Sequence, residues 1–328
     1  MVGNVKTQST VVRNTGIDWL KALAVILVMN SHMNMCYPKF GFLASGGAIG
    51  DALFFFVSGF TLFLGRHMRF DNWYKRRISR IYPSIIATAI IVWLLWNNTD
   101  SIGDILLGKR YWFIGCILVY YVLLYPIKTL KNGSYASHCM IIGAVISVLL
   151  YFLFFNNEKP FYAGSFFRCI AFFLIMLQGA IMGKSANNYR FQKKHVFFFF
   201  LSIGLFYCFF YLGNHNALIL LSFASLFGVT RYGYLMCSAP LLEKLYHNKY
   251  ICQIVYIISQ CCLEVYLIQK YVFTKSLNDI FPLNIVIIMI AVLLMAYIVK
   301  VVAELILQTF KTEPYEWKKM LLWKRNTV

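Results

Sequence analysis

The chain has 328 residues, of which 60% are hydrophobic and only 13% are charged. Charge this sparse, gathered in short clusters between long apolar stretches, excludes a large soluble core and indicates a polytopic membrane protein. The formal net charge of +19 does not indicate nucleic-acid binding, because the Lys and Arg clusters lie between the apolar stretches and not on one soluble face.

The apolar stretches predict an all-α integral membrane protein, a single polytopic bundle of about ten transmembrane helices with both termini cytoplasmic. With that orientation, 22 of the 31 Lys and Arg residues fall on the cytoplasmic side and five on the other side, as the positive-inside rule requires. The eighth helix is short, and a re-entrant segment is its alternative. The predicted helices cover 18–36, 48–65, 80–96, 111–127, 138–155, 164–183, 196–212, 216–231, 251–273 and 283–308.

The predicted organisation is a cytoplasmic segment at 1–17, one transmembrane domain at 18–310 and a basic tail at 311–328. Trp and Leu residues among the lysines of the tail suit an amphipathic helix at the membrane interface. The nine Cys residues show no Cys-x-x-Cys motif and no His/Cys ligand spacing. They are predicted to be buried apolar residues, with metal or disulfide roles as the lesser alternative.

The first predicted helix carries Lys21 and, eleven residues later, His32. Eleven helical steps return to within about 20° of the starting direction and climb roughly 16 Å, so both side chains line one face at two depths. Asp18 lies within about 40° of that face. Ionisable groups inside a membrane helix indicate a functional site, although Lys21 could instead extend to the interface while His32 ends the helix.

Two further patterns follow in the next two helices. Asp51 stands at the start of the second helix, where it could orient His32 or simply favour the helix dipole. Arg77 and Arg80 are three residues apart and project from one side of a helical turn. Arginine forks match phosphate oxygens, and contact with lipid headgroups is the alternative reading of this pair.

In this order and spacing, the three patterns resemble the membrane-bound acyltransferase 3 family. The resemblance rests on Lys21 and His32, on the stretch 51–60 (DALFFFVSGF), and on Arg-x-x-Arg at 77–80 before Tyr-Pro at 82–83. Weaker similarities are Tyr-Trp-Phe-Ile at 111–114 and Glu-Val-Tyr-Leu-Ile-Gln at 264–269. Many members of the family carry His where this chain has Gln269.

The resemblance implies transfer of an acyl group from cytoplasmic acetyl-CoA to a hydroxyl of a cell-surface or lipid-linked polysaccharide, in a bacterial inner membrane. His32 would be the general base, with a transient acyl carrier as the alternative role. Asp51 would set its tautomer. Arg77 and Arg80 would bind the CoA phosphates, with Lys21 reaching the donor further in. The expected partners are acetyl-CoA, the carbohydrate acceptor and membrane lipids, without nucleic acid or metal.

Three more side chains are candidates for acceptor binding. Arg168 and Glu264 are intramembrane charges that could line the acceptor cavity or form an ion pair, and Trp112 opens the fourth helix. Lys300 and Glu304, four residues apart, are predicted to pair within one helix.

The alternative from another class is a transporter or flippase of a lipid-linked saccharide, with Lys21, His32, Arg168 and Glu264 as its polar pathway. Against it, the sequence shows no inverted repeat and no pair of helices broken by Gly or Pro. A glycan polymerase is a third possibility, but the large external loop expected of such an enzyme is absent.

Overall fold

The computed structural model describes residues 14–65, 67–97, 111–155, 161, 165–213 and 217–322. These residues form helices and connecting turns, and no strand occurs among them. The helices are α1 (Thr15–His32), α2 (Gly47–Leu64), α3 (Phe70–Trp96), α4 (Trp112–Thr129), α5 (Ala136–Leu150), α6 (Phe166–Lys184), α7 (Lys194–Leu212), α8 (Ile219–Cys237), α9 (Pro240–Tyr246), α10 (Lys249–Gln260), α11 (Cys262–Val272), α12 (Leu283–Thr309) and α13 (Trp317–Met320).

In the described part of the chain, eight helices are long and apolar enough to cross a membrane, and α10 with α11 adds a ninth crossing if the bent pair is one span. The chain is therefore an all-α, multi-pass membrane protein. The predicted number of ten is reached only if α1 is counted. That helix has 18 residues, but it is less apolar because it carries Asp18, Lys21 and a polar last turn that ends at His32.

The helices run alternately in opposite directions. Gly47 and Gly50 at the start of α2 lie against Ser31 and Val28 near the end of α1, so these two helices are antiparallel. We call the end of the bundle where α1 ends the His32 end, and the opposite end, where α3 begins, the Arg77 end. Helix α1 begins and α12 ends at the Arg77 end. Residues 1–13 of the predicted cytoplasmic segment 1–17 lie outside the described residues.

Helix α1 is the centre of the bundle, packed by α2, α8, α10 and α11. Helices α2 and α6 pack closely because glycines, which have no side chain, occupy the positions where the two helices cross. A Cβ at Gly59 would meet the backbone of Met176, and a Cβ at Gly179 would meet the backbone of Phe56. The close approach expected from small residues in membrane helices fixes α6 beside α2.

The start of α3 shows the largest shift of a helix boundary from the prediction. Helix α3 begins at Phe70 and not at residue 80, because the buried Trp73 anchors its first turns by donating its indole N–H to the Tyr121 carbonyl over 3.2 Å. Pro83 therefore lies inside the helix and does not open it. The eighth helix, α8, has 19 residues and is long and apolar enough to cross a membrane.

The ninth predicted helix is broken. Helices α10 and α11 meet at Cys261 with a bend of 76°, and no Gly or Pro marks the break. Ser259, just before the bend, donates to the buried carboxylate of Asp18 over 3.3 Å. The short α9, before α10, was not predicted either, because seven residues are too few for a periodic signal.

The basic tail is only partly helical. Among its described residues, α13 covers four residues, and the chain beyond it folds back onto the bundle. Met320 and Leu322 are buried, and the Tyr297 hydroxyl donates to the Leu321 carbonyl over 3.0 Å. Trp317 is 63% exposed, which leaves an apolar side chain for the interface.

Candidate functional site

The first functional feature is the fixed backbone around the end of α1. The Asn30 amide donates to the carbonyls of Leu43 and Ser45 over 2.7 and 3.0 Å, and its oxygen accepts from the Tyr37 hydroxyl over 2.6 Å. These bonds tie the last turn of α1 to the connection that precedes α2. The backbone that carries His32 is therefore held in place on two sides.

The His32 ring itself is exposed. None of the hydrogen bonds of the described residues involves its ring nitrogens. An imidazole that is fixed through its backbone and free at both nitrogens can take up a proton from a bound hydroxyl. Lys21 lies on the same unbroken helix, about 16 Å away along the axis. It is half-buried and close enough to Cys262 of α11 to act on that thiol electrostatically.

Asp18, the third ionisable residue of α1, is 2% exposed. Its carboxylate accepts from the Tyr246 hydroxyl over 2.6 Å and from Ser259. These bonds join α1 to α9 and α10, so Asp18 holds helices together and does not line an open path with Lys21 and His32.

Asp51 lies one residue beyond Gly50, which packs against Val28. The carboxylate is thus about one helical turn from the level of His32, and its electrostatic partner is Arg168. No hydrogen bond joins Asp51 to His32 within the described residues. The prediction that Asp51 sets the His32 tautomer therefore has no direct contact between the two side chains to support it.

Arg168 and Trp112, predicted separately, are in contact at the His32 end. The Arg168 guanidinium carbon lies 3.7 Å from the centre of a Trp112 ring, and the residue is only 8% exposed. Its Nε atom is buried without a hydrogen-bond partner. Phe55 and Phe172 pack against Trp112 with ring centres 6.1 and 5.9 Å away. The stack is therefore held by α2, α4 and α6 together.

Two residues of α11 complete this end, and sequence reasoning gave neither a role. Tyr266 is within electrostatic reach of Asp51 and Arg168 and contacts Phe113 with ring centres 5.6 Å apart. Gln269 is 4% exposed, and its side-chain amide oxygen has no hydrogen-bond partner. A buried amide oxygen without a partner is costly and is a signal that no sequence pattern displays.

Glu264, which was predicted as an acceptor-binding residue, lies among α3, α11 and α12. It is 1% exposed, accepts from the Ser84 hydroxyl over 2.5 Å and pairs with Lys300 over 3.3 Å. Lys300 also pairs with Glu304 over 3.6 Å, as predicted. Glu264 and Tyr266 are two residues apart and point to opposite faces of α11. Arg168 and Glu264 are thus not an ion pair, and Glu264 joins α11 to α3 and α12.

At the Arg77 end, cations surround an indole. The Arg77 guanidinium carbon lies 4.8 Å from a Trp73 ring centre, and the Lys128 ammonium lies 4.9 Å from the same residue. Arg77 Nε is buried without a hydrogen-bond partner, and Arg80 is exposed. No described carboxylate forms an ion pair with these three cations. The charge of Arg77 and Arg80 is therefore available to an anion.

Lys128 has a structural role in this cluster. Its ammonium donates to the carbonyls of Leu62 and Gly65 over 2.8 and 2.7 Å. These carbonyls end α2, so Lys128 fixes the turn that leads to α3. The sequence showed Lys128 only as one cytoplasmic cation among many.

Comparison with known proteins identifies the family of the chain. The sequence model of the acyltransferase 3 family, described as an acyltransferase domain, matches residues 14–301. The chain belongs to this family. No solved structure matches the chain.

A relative in Bacillus subtilis (strain 168) is named "Putative peptidoglycan O-acetyltransferase YrhL" and is 27% identical over 135 residues. The matched region covers 36% of this chain and 20% of that protein. This chain thus aligns with about a fifth of the length of the relative.

Proposed function

We propose that the protein is a membrane O-acyltransferase that moves acetyl from cytoplasmic acetyl-CoA to a hydroxyl of a cell-surface or lipid-linked polysaccharide. The observation that carries the proposal is the unbroken helix α1, which connects two different sites. Lys21 lies in its first half, nearer the Arg77 end, and His32 lies in its last turn, at the His32 end. Family membership and the name of the Bacillus relative support the reaction class.

The donor would bind at the Arg77 end. CoA is a polyanion, and Arg77 and Arg80 offer guanidinium groups that no described carboxylate neutralises. We propose that this end faces the cytoplasm, where acetyl-CoA is available, because cations are in excess there. The distance from Lys21 to His32, roughly 16 Å, suits an extended pantetheine arm that brings the thioester to His32.

The chemical step would occur at the His32 end. The neutral His32 ring takes the proton of the acceptor hydroxyl while that oxygen attacks the thioester carbonyl carbon. The carbon–sulfur bond then breaks, and the imidazolium returns the proton to the CoA thiolate, so an ester and free CoA are formed. Trp112 and Arg168 would position the acceptor, since an aromatic face with a fixed guanidinium can orient a polar sugar.

The family match argues against the flippase alternative, although the bend of 76° at Cys261 is a broken helix of the kind transporters use. Such transporters generally have two broken spans, one in each half of the protein. The described residues contain a single broken span, α10 with α11. A flippase would move a saccharide without consuming acetyl-CoA.

The experiment that separates the two functions uses inverted membrane vesicles from the native host and acetyl-CoA labelled in the acetyl group. The proposal predicts alkali-labile label in the saccharide or lipid-linked fraction, and none in vesicles that lack the protein. Equal labelling with and without the protein, at normal protein levels in the membrane, would overturn the proposal.

A further inference from the structure

Two cysteines lie side by side beneath the Arg168–Trp112 stack. The Cys116 thiol donates to the sulfur of Cys169 over 2.8 Å, although the two residues are 53 positions apart in the chain. Cys116 belongs to α4 and Cys169 to α6, and both are half-buried free thiols. Neither takes part in the proposed acyl transfer.

The surrounding contacts bring the two helices together along one stripe. Trp112, Cys116 and Tyr120 are spaced four residues apart, so they share one face of α4. Trp112 stacks on Arg168, Cys116 contacts Cys169, and the Tyr120 hydroxyl donates to the Cys169 carbonyl. Contacts above and below the sulfur pair thus hold the helices at this separation whether or not the sulfurs are bonded.

We propose that Cys116 and Cys169 are a disulfide-forming site that crosslinks α4 to α6 beside the Arg168–Trp112 stack. A disulfide bond holds sulfurs about 2.05 Å apart, so the helices need to shift by less than about 1 Å. Other cysteine pairs on the described helices have no such contact across two helices. In the proposed orientation this end faces the outside of the cell, where disulfides persist.

The bond would form by thiol–disulfide exchange with a disulfide of an oxidoreductase or a small molecule. The thiolate of one cysteine attacks a sulfur of the external disulfide and expels one thiolate. The thiolate of the second cysteine then attacks the mixed disulfide and expels the other. Two electrons pass from the cysteines to the external disulfide, which leaves as two thiols after taking up the two protons.

The test is cysteine mapping of the full-length protein in native membranes. The membranes are treated with 4,4′-dithiodipyridine, a membrane-permeant disulfide, and then denatured and alkylated with N-ethylmaleimide before digestion and mass spectrometry. We expect one linked peptide that joins Cys116 to Cys169 and splits on reduction. Cys116→Ser and Cys169→Ser should each abolish it, and Cys208→Ser, at an exposed position on α7, should retain it.

Detection of Cys116 and Cys169 only as separately blocked thiols in the treated wild-type protein would overturn the proposal, as would a linkage of either residue to another cysteine. The wild-type mapping decides the matter even if a serine variant does not accumulate. The result does not depend on acetyl transfer, so it stands apart from the test of the proposed function.

Discussion

The two ends of the bundle each hold an arginine against a tryptophan, and their surroundings differ. Arg77 lies 4.8 Å from Trp73 among further cations, and Arg168 lies 3.7 Å from Trp112 within electrostatic reach of the Asp51 carboxylate. Arg77 therefore lies in an excess of positive charge, while Arg168 has a carboxylate near it that can balance its charge. The same pair of side chains suits a polyanion in the first setting and a weakly charged, hydroxyl-rich ligand in the second.

The two arginine–tryptophan pairs thus differ in their charge environment and not in residue type. Helix α1 joins the two ends with a single cation and a single imidazole. Three variants can break or sharpen the distinction.

The largest of the three effects is expected at the Arg77 end. Arg77→Ala combined with Arg80→Ala should weaken acetyl-CoA binding by at least about 100-fold, because two charge-assisted contacts of about 1.5–3 kcal/mol each are removed. Calorimetry or filter binding on purified protein measures the change. Arg69→Ala is the matched control, since Arg69 is exposed and pairs with Asp71 over 3.3 Å. Unchanged affinity in the double variant would mean that these arginines do not bind acetyl-CoA and only set the orientation of the protein in the membrane.

A smaller effect is expected at the other end. Arg168→Ala should lower acetyl transfer to the glycan by about tenfold, because one positioning contact is removed, while acetyl-CoA affinity stays as in the wild type. Arg168→Lys keeps the charge but not the planar stack on Trp112, so it should rescue only part of the activity. Full rescue by lysine would show that charge alone matters there, and a loss of donor affinity would place Arg168 in the donor site.

The smallest effect on transfer is expected at Glu264. Glu264→Gln should leave transfer per folded molecule unchanged and lower the free energy of unfolding by about 1–3 kcal/mol, because the ion pair with Lys300 is lost while a group that can accept from Ser84 remains. Thermal unfolding in detergent measures the stability. Weaker acceptor binding with no change in stability would return Glu264 to the acceptor site.

Much of the fold could be predicted from the sequence, because apolar helices of membrane length have a strong compositional signal. That signal located α2, α4, α6 and α12 to within a few residues. It failed where tertiary contacts decide a boundary. The anchoring of Trp73 extends α3 by ten residues towards the N-terminus. The bend at Cys261 lies beside Ser259, whose hydrogen bond to the buried Asp18 is not indicated by any local sequence pattern.

The candidate site divides in the same way. Spacing within one helix predicted that Lys21 and His32 share a face, since helical geometry alone fixes that relation. The contact of Arg168 with Trp112 and the pairing of Glu264 with Lys300 depend on which helices are neighbours. Helical geometry predicted that Asp18 lies near the face of Lys21 and His32. Its carboxylate is instead buried and accepts hydrogen bonds from Tyr246 and Ser259. The roles predicted for His32, Asp51, Arg77 and Arg80 stay predictions.

The most direct measurement is the O-acetyl content of the cell-surface glycan in a strain whose only copy of the protein carries His32→Ala. Loss of the general base should lower transfer by about 100- to 10,000-fold, so O-acetyl esters should fall to the level of a deletion strain. His138→Ala, at an exposed position on α5, should keep the wild-type content. Wild-type acetylation in the His32→Ala strain, with normal amounts of protein in the membrane, would contradict the account.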